Sequence, residues 1–126
     1  DAVSVGVDFT ARDLQKRLKE KGLPWEKAKG FDGAAVIGEW IPRTRVADTD
    51  FLQFELRKNG EIVQRGDTRL MLWKIDELIH YVSTFFTLKK GDVLFTGTPA
   101  GVGRVAPNDY LVGSLEGEEL FSLNVK

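Results

Sequence analysis

The chain has 126 residues, 42% of them hydrophobic and only four of them proline, so it can bury a core and lacks the composition of a disordered segment. Eighteen basic and nineteen acidic residues leave a net charge of −1 with no basic stripe, which argues against a nucleic-acid partner. No apolar run nears the ~18 residues of a membrane helix, no signal-peptide pattern opens the chain, and the absence of cysteine excludes disulfides, thiolate metal sites and a cysteine nucleophile. A cytoplasmic setting with no membrane partner is the expectation.

From the start, Val3, Val5 and Val7 alternate with Ser4, Gly6 and Asp8, which predicts a half-buried strand over Ala2 to Val7 with Asp8 at its end. Thr10 and Asp13 read as a variant capping box. Leu14 and Leu18 then give one apolar stripe of a helix closed by Gly22. Pro24 interrupts, a short helical piece covers Trp25 to Lys29, and Ala35 to Ile41 reads as a strand stopped by Pro42. Arg43 to Asp50 is a polar connection. Leu52, Phe54 and Leu56 alternate with polar residues up to Asn59-Gly60, which predicts a hairpin into Glu61 to Gln64. Ile75, Leu78, Ile79, Val82, Phe85 and Phe86 recur at helical spacing and predict a second helix with a buried face. Val93 to Thr96 and Tyr110 to Leu115 read as strands, and Leu120 to Val125 pairs with the latter across Gly117. Roughly seven strands and two helices make an α+β chain that is mainly β. No repeat or linker divides it, so residues 1–126 are taken as one domain. The chain opens on Asp1, almost inside a strand pattern, and a longer parent polypeptide is expected.

Three groups of residues could carry chemistry. Gly91 to Gly103 holds four of the thirteen glycines and runs through Thr96-Gly97-Thr98-Pro99, a loop whose backbone can approach a ligand while two hydroxyls face an anionic or carbonyl oxygen. A plain strand-to-turn junction is the other reading of that loop. Asp8 lies just before a helix whose Arg12 and Gln15 share a face. A carboxylate able to hold a hard cation thus stands near a guanidinium able to fork onto a substrate carboxylate and an amide able to donate or accept. A helix-cap neighbourhood with a solvated face has the same residues. Lys29, four residues beyond Trp25, is expected to be partly desolvated, a setting in which an ammonium partners developing enolate charge; an ordinary surface lysine, like Lys27 two positions earlier, is the other reading. Glu116-Gly117-Glu118 is read as a turn, His80 as a solvated residue on the polar side of its helix, and Ser83 as no nucleophile, since it lacks the elbow context and a histidine partner.

Asp8-Phe9-Thr10-Ala11-Arg12-Asp13-Leu14-Gln15, the segment Gly22 to Asp32 with Ala28-Lys29-Gly30-Phe31-Asp32, Gly66-Asp67-Thr68-Arg69-Leu70-Met71 and the glycine loop stand in one order over nearly the whole chain. Together they resemble the fumarylacetoacetate hydrolase family, nearest its acylpyruvate-hydrolysing and oxaloacetate-decarboxylating members. The resemblance implies a mixed β-roll, of which residues 1–126 are the C-terminal part, lacking the N-terminal part. It implies a divalent cation, Mg²⁺ or Mn²⁺, with Asp8 as the aspartate ligand, while the family's Glu-x-Glu pair and the lid histidine and glutamate that supply the base precede Asp1. Arg12 and Gln15 bind the substrate's carboxylate and keto oxygens in that picture, Lys29 neutralises the enolate, and Thr96, with Gly97 and Thr98, hydrogen-bonds the substrate. Ala35-Val36 departs from the Cys-Pro that close relatives often carry there. The implied activity is metal-dependent cleavage of a carbon–carbon bond in a β-dicarbonyl acid, by acylpyruvate or fumarylacetoacetate-type hydrolysis or by oxaloacetate decarboxylation, in a homodimer acting on a small keto acid. Two readings stay beside it: an isomerase or decarboxylase of 2-hydroxy-diene-dioates, and a non-catalytic module of the same fold.

Overall fold

The computed structural model describes residues 1–126. Two helices, α1 (Arg12–Glu20) and α2 (Ile75–Ser83), accompany eight strands: β1 (Ala2–Val3), β2 (Gly6–Asp8), β3 (Ala35–Ile37), β4 (Ile41–Pro42), β5 (Gln53–Lys58), β6 (Glu61–Asp67), β7 (Tyr110–Leu115) and β8 (Glu118–Asn124). The chain is thus mostly β, as its alternating segments imply. No helix is long and apolar enough to cross a membrane.

Four strands form an antiparallel sheet in the order β6-β5-β7-β8. Its two hairpins turn on Asn59-Gly60 and Glu116-Gly117, where φ is positive at both central residues (53° and 88°, then 50° and 81°). That is the turn whose twist matches paired strands, and Gly60 reaches it without the steric cost of a Cβ. Glu116 also accepts a hydrogen bond from the Gln53 N–H, so its carboxylate belongs to the turn. In β6 the residue Val63 has no partner on β5: Ile62 faces Arg57 and Gln64 faces Leu56. This bulge lies on an edge strand, where an extra residue re-aims its neighbours.

A second ribbon, β1 and β2 against β4 and β3, packs against the sheet. The sequence predicts one unbroken strand on each side of it, and the structure breaks both. Ser4 and Val5 on one side face Gly38, Glu39 and Trp40 on the other, so one extra residue kinks the ribbon. There the Glu39 N–H leaves the ribbon and donates to the Leu120 carbonyl of β8 at 2.8 Å, while the Ser4 hydroxyl donates to the Glu39 carbonyl at 3.0 Å. The kink lets the β1–β4 end fold onto the sheet, where Ile41, Val46, Leu52, Leu115 and Leu120 make the core with Val3, Val5 and Phe54 packed on it.

Three further expectations are corrected. Thr10 does not cap α1: the residue before the helix is Ala11, and no side chain caps it. The helix is instead tied from outside, by the Ala11 N–H on the Ala28 carbonyl at 3.0 Å. The segment Val93 to Thr96 is not a strand, because residues 93–105 make no backbone–backbone hydrogen bond. Finally, α2 is a helix but its apolar face is not buried. It ends at Ser83, where the hydroxyls of Ser83 and Thr84 donate back to the His80 and Tyr81 carbonyls, and Phe85 and Phe86 beyond it are each 67% exposed. Periodicity selects the element, whereas burial requires a partner surface that these residues do not supply. Nineteen large apolar side chains are exposed against ten buried residues, so much of the apolar surface lies uncovered within this chain.

Candidate active site

Asp8 ends β2, opposite Ala35 of β3. Directly after it the backbone is stitched to the next loop twice, by the Phe9 N–H on the Ala34 carbonyl at 2.7 Å and by Ala11 on Ala28. A single 3₁₀ turn, Glu26–Ala28, ends at the second anchor with Ala28 fully buried, and Lys29 follows it, between Ala28 and Ala34. The turn therefore holds Lys29 beside Asp8, and the Lys29 ammonium donates to Asp8 Oδ2 at 2.5 Å. Residues twenty-one positions apart, each singled out separately in the sequence, meet as one ion pair.

The pair is half-solvated, with the Lys29 and Asp8 side chains 37% and 49% exposed. Trp25 does not shield Lys29: its ring is 46% exposed and carries the Lys19 ammonium 4.5 Å from its centroid. Lys29 is thus only partly desolvated, and Trp25 is not what covers it. Arg12 opens α1 four residues after Asp8. It is exposed and pairs with no carboxylate, and half-buried Gln15 one turn on makes no side-chain hydrogen bond. The result is a corner with one carboxylate, one ammonium and one free guanidinium, suited to an anionic ligand.

The glycine loop reaches the same strand. Phe95 Cε1 lies 3.3 Å from where a Cβ on Gly6 would stand, and Gly6 and Asp8, two apart on β2, share a face. Thr96 follows Phe95 directly, so the Thr96-Gly97-Thr98 run leaves from the face that carries Asp8. Gly97 has φ +116°, and all three residues are exposed. Because the loop has no backbone hydrogen bonds, side chains hold it. Gln64 donates to Thr98 Oγ1 and to the Pro99 carbonyl, both at 3.0 Å, and Lys58 donates to the Arg104 carbonyl at 3.1 Å. The Val63 carbonyl occupies the space a Gly101 side chain would need.

The loop's exit is pinned at a second point. Asn59 donates to Asp109 Oδ1 at 2.8 Å and accepts from the Tyr110 N–H at 2.8 Å, and the Ala106 N–H donates to Asp109 Oδ2 at 2.9 Å. These donors favour the charged form and hold the Asp109 carboxyl below the ordinary value of 3.8, the Ala106 N–H most and the Asn59 amide next. Asp67 is lowered likewise, mainly by the Arg69 side chain and then by the Arg69 N–H. Gln64, Lys58 and Asp109 hold the candidate loop, and no sequence motif singles them out: Asn59-Gly60 marks only a turn, and nothing in the alternation around Gln64 reveals a bulge.

A divalent cation needs about six oxygen ligands. No three His, Asp or Glu side chains of this chain stand together, and the one hard donor at the corner, Asp8, is occupied by Lys29. The residues present do not fit such a cation by themselves. Glu116 and Glu118 do not contribute, being bound to Gln53 and Arg45 at the opposite hairpin.

Residues 1–121 match the family model described as the C-terminal region of fumarylacetoacetate (FAA) hydrolase. The mouse (Mus musculus) protein named oxaloacetate tautomerase FAHD1, mitochondrial, is 39% identical over 120 residues, which are 95% of this chain and 54% of that protein. The Schizosaccharomyces pombe oxaloacetate tautomerase oaa1, mitochondrial, is 43% identical over 114 residues, 90% of this chain and 52% of that one. Among solved structures, fumarylpyruvate hydrolase from Pseudomonas aeruginosa in complex with Mn²⁺ and pyruvate superposes with a TM-score of 0.90 at 41% identity, covering 98% of this chain and 53% of that one. The chain spans about half the length of the relatives it matches. With a family model matching nearly its whole length, the chain belongs to the fumarylacetoacetate hydrolase family, whose members include hydrolases and tautomerases.

Proposed function

We propose that the full-length protein carrying this chain cleaves a carbon–carbon bond in a small β-dicarbonyl acid of the acylpyruvate type, and that residues 1–126 form the C-terminal part of its catalytic domain. The observation that carries this reading is the Asp8–Lys29 ion pair set at a strand end between an unpaired arginine and a threonine-glycine loop. Arg12 and Gln15 take the substrate's carboxylate and adjacent keto oxygen. Lys29, oriented by Asp8, offsets the negative charge that grows on the keto oxygen as electrons are released into an enolate. Thr96, Gly97 and Thr98 donate hydrogen bonds from the glycine loop to the same carboxylate and keto oxygens.

The relative bound to Mn²⁺ and pyruvate supports a divalent cation, Mg²⁺ or Mn²⁺, for the whole protein, with Asp8 as one of several ligands. The cation would act as a Lewis acid toward keto oxygens. A homodimer in the cytoplasm completes the proposal, the dimer supported by the extent of uncovered apolar surface and the setting by a chain without cysteine.

A second reading is favoured by the names of the mouse and fission-yeast relatives: keto–enol tautomerisation of oxaloacetate. It needs the same enolate and the same Lys29, and differs in whether a proton or an acyl group leaves the central carbon. The test is the full-length protein with acetylpyruvate and with oxaloacetate, following loss of the β-diketone absorbance, pyruvate release and enol–keto exchange. Pyruvate released from acetylpyruvate supports hydrolysis. Exchange of oxaloacetate without pyruvate release replaces it with the second reading, and activity on neither refutes both.

A further inference from the structure

The loop Val93–Val105 is held from β5 and β6 by side chains alone, and one of these contacts has a defined polarity. Gln64 Nε2 lies 3.0 Å from the Pro99 carbonyl, which can only accept, so the nitrogen end of the amide must face the loop. The same nitrogen lies 3.0 Å from Thr98 Oγ1. The threonine oxygen is therefore an acceptor toward Gln64, and its own proton is left to point elsewhere. We infer that Gln64 is a positioning residue: it anchors the glycine loop on the edge strand and fixes the Thr98 hydroxyl as a donor toward a carboxylate or keto oxygen of the substrate. This rests on the keto-acid reading above.

Two features of the fold support that role. The bulge at Val63 breaks the alternation of β6 immediately before Gln64, and turns the Val63 carbonyl onto Gly101, whose φ of +99° and lack of a side chain allow the close approach. Strand edge and loop thus meet at two adjacent β6 residues, one through its backbone and one through its side chain. The other side-chain anchor, Lys58 on the Arg104 carbonyl, lies beyond the threonines and sets no hydroxyl.

The experiment uses the full-length protein with Mn²⁺, pyruvate as the binding probe and acetylpyruvate as substrate, in Gln64→Glu, Gln64→Met, Thr98→Val and the Gln64→Glu/Thr98→Val double variant. A glutamate of the same shape accepts the Thr98 proton instead of leaving it free, and repels the Pro99 carbonyl. Gln64→Glu and Thr98→Val should each weaken pyruvate binding roughly tenfold, the value of about one hydrogen bond. The Michaelis constant should rise with kcat changed less than about threefold, since uniform binding is lost. The double variant should be no weaker than the weaker single, because both remove one donor. Chymotryptic cleavage after Phe95 should speed up in Gln64→Glu and Gln64→Met but not in Thr98→Val, which keeps the Pro99 bond. Unchanged pyruvate affinity in Gln64→Glu, or effects that multiply in the double variant, would overturn the role of Gln64 while leaving the keto-acid reading intact. A wild-type protein that binds no pyruvate and turns over no keto acid would overturn both.

Discussion

Separating the stability of the Asp8–Lys29 pair from its chemistry gives the sharpest test of the proposed site. The nitrogen–oxygen distance is 2.5 Å, but the two side chains are 37% and 49% exposed, so water and salt screen the attraction. Pairs of that kind contribute about 0.2–1 kcal/mol to folding. Lys29→Met and Asp8→Asn should therefore each lower the unfolding free energy by less than about 1 kcal/mol, measured by urea denaturation. If Lys29 offsets enolate charge, its loss should cost about 10²–10³ in kcat, or about 2.7–4 kcal/mol, several times the stability effect. The control Lys27→Met, on the solvated side of the same 3₁₀ turn, should match wild type in both assays. Arg12→Met should raise the Michaelis constant more than it lowers kcat, because a carboxylate clamp acts in ground and transition states alike. In the double variant Asp8→Asn/Lys29→Met, the rate losses should fall short of multiplying, since one group orients the other. Equal and small effects at Lys27 and Lys29 would refute the assignment. So would a loss of stability as large as the loss of rate, which would make the pair a structural tie.

Chelation of divalent cations should abolish turnover by the full-length protein and Mn²⁺ or Mg²⁺ should restore it, with Asp8→Ala raising the metal concentration needed; full turnover in excess chelator would refute the cation. Asp109 and Asp67 have folded-state pKa values below the ordinary 3.8, so the unfolded chain binds more protons in acid and their contribution is complete above about pH 5 and is lost as pH falls below 3.8 through the lowered values. Asp109→Asn should flatten the acid limb of a urea-midpoint profile taken from pH 6 to pH 2.5, and an unchanged limb would count against the Asn59–Asp109–Ala106 knot. Gly60→Ala at φ +88° should cost about 1–2 kcal/mol in the same denaturation assay, and a neutral result would mean that the β5–β6 turn is not under this constraint. Light scattering should give a dimer mass for the full-length protein at micromolar concentration; a monomer would leave the exposed apolar surface to some other cover.

Much of this architecture follows from local pattern. Alternation over Leu52 to Leu56, the Asn59-Gly60 dipeptide and the Tyr110 to Val125 pairing are properties of short stretches, and the hairpins form where those stretches predict. Helix type was equally legible in Leu14–Leu18 and Ile75–Val82, since the 3.6-residue period is local. The candidate residues Asp8, Arg12, Gln15, Lys29, Thr96, Gly97 and Thr98 could be named from motif order alone. What the tertiary structure decided was every relation across long separations. The ribbon kinks at Ser4 and Gly38 because Glu39 bonds to Leu120, eighty-one residues away. Lys29 reaches Asp8 because Ala28 and Ala34 are tied to Ala11 and Phe9. Val93 to Thr96 has strand composition but finds no neighbouring edge, and the Gln64 side chain anchors the loop just beyond it, at Thr98 and Pro99. The apolar face of α2 marks a helix, yet burial depends on a second surface, which no pattern within the helix encodes.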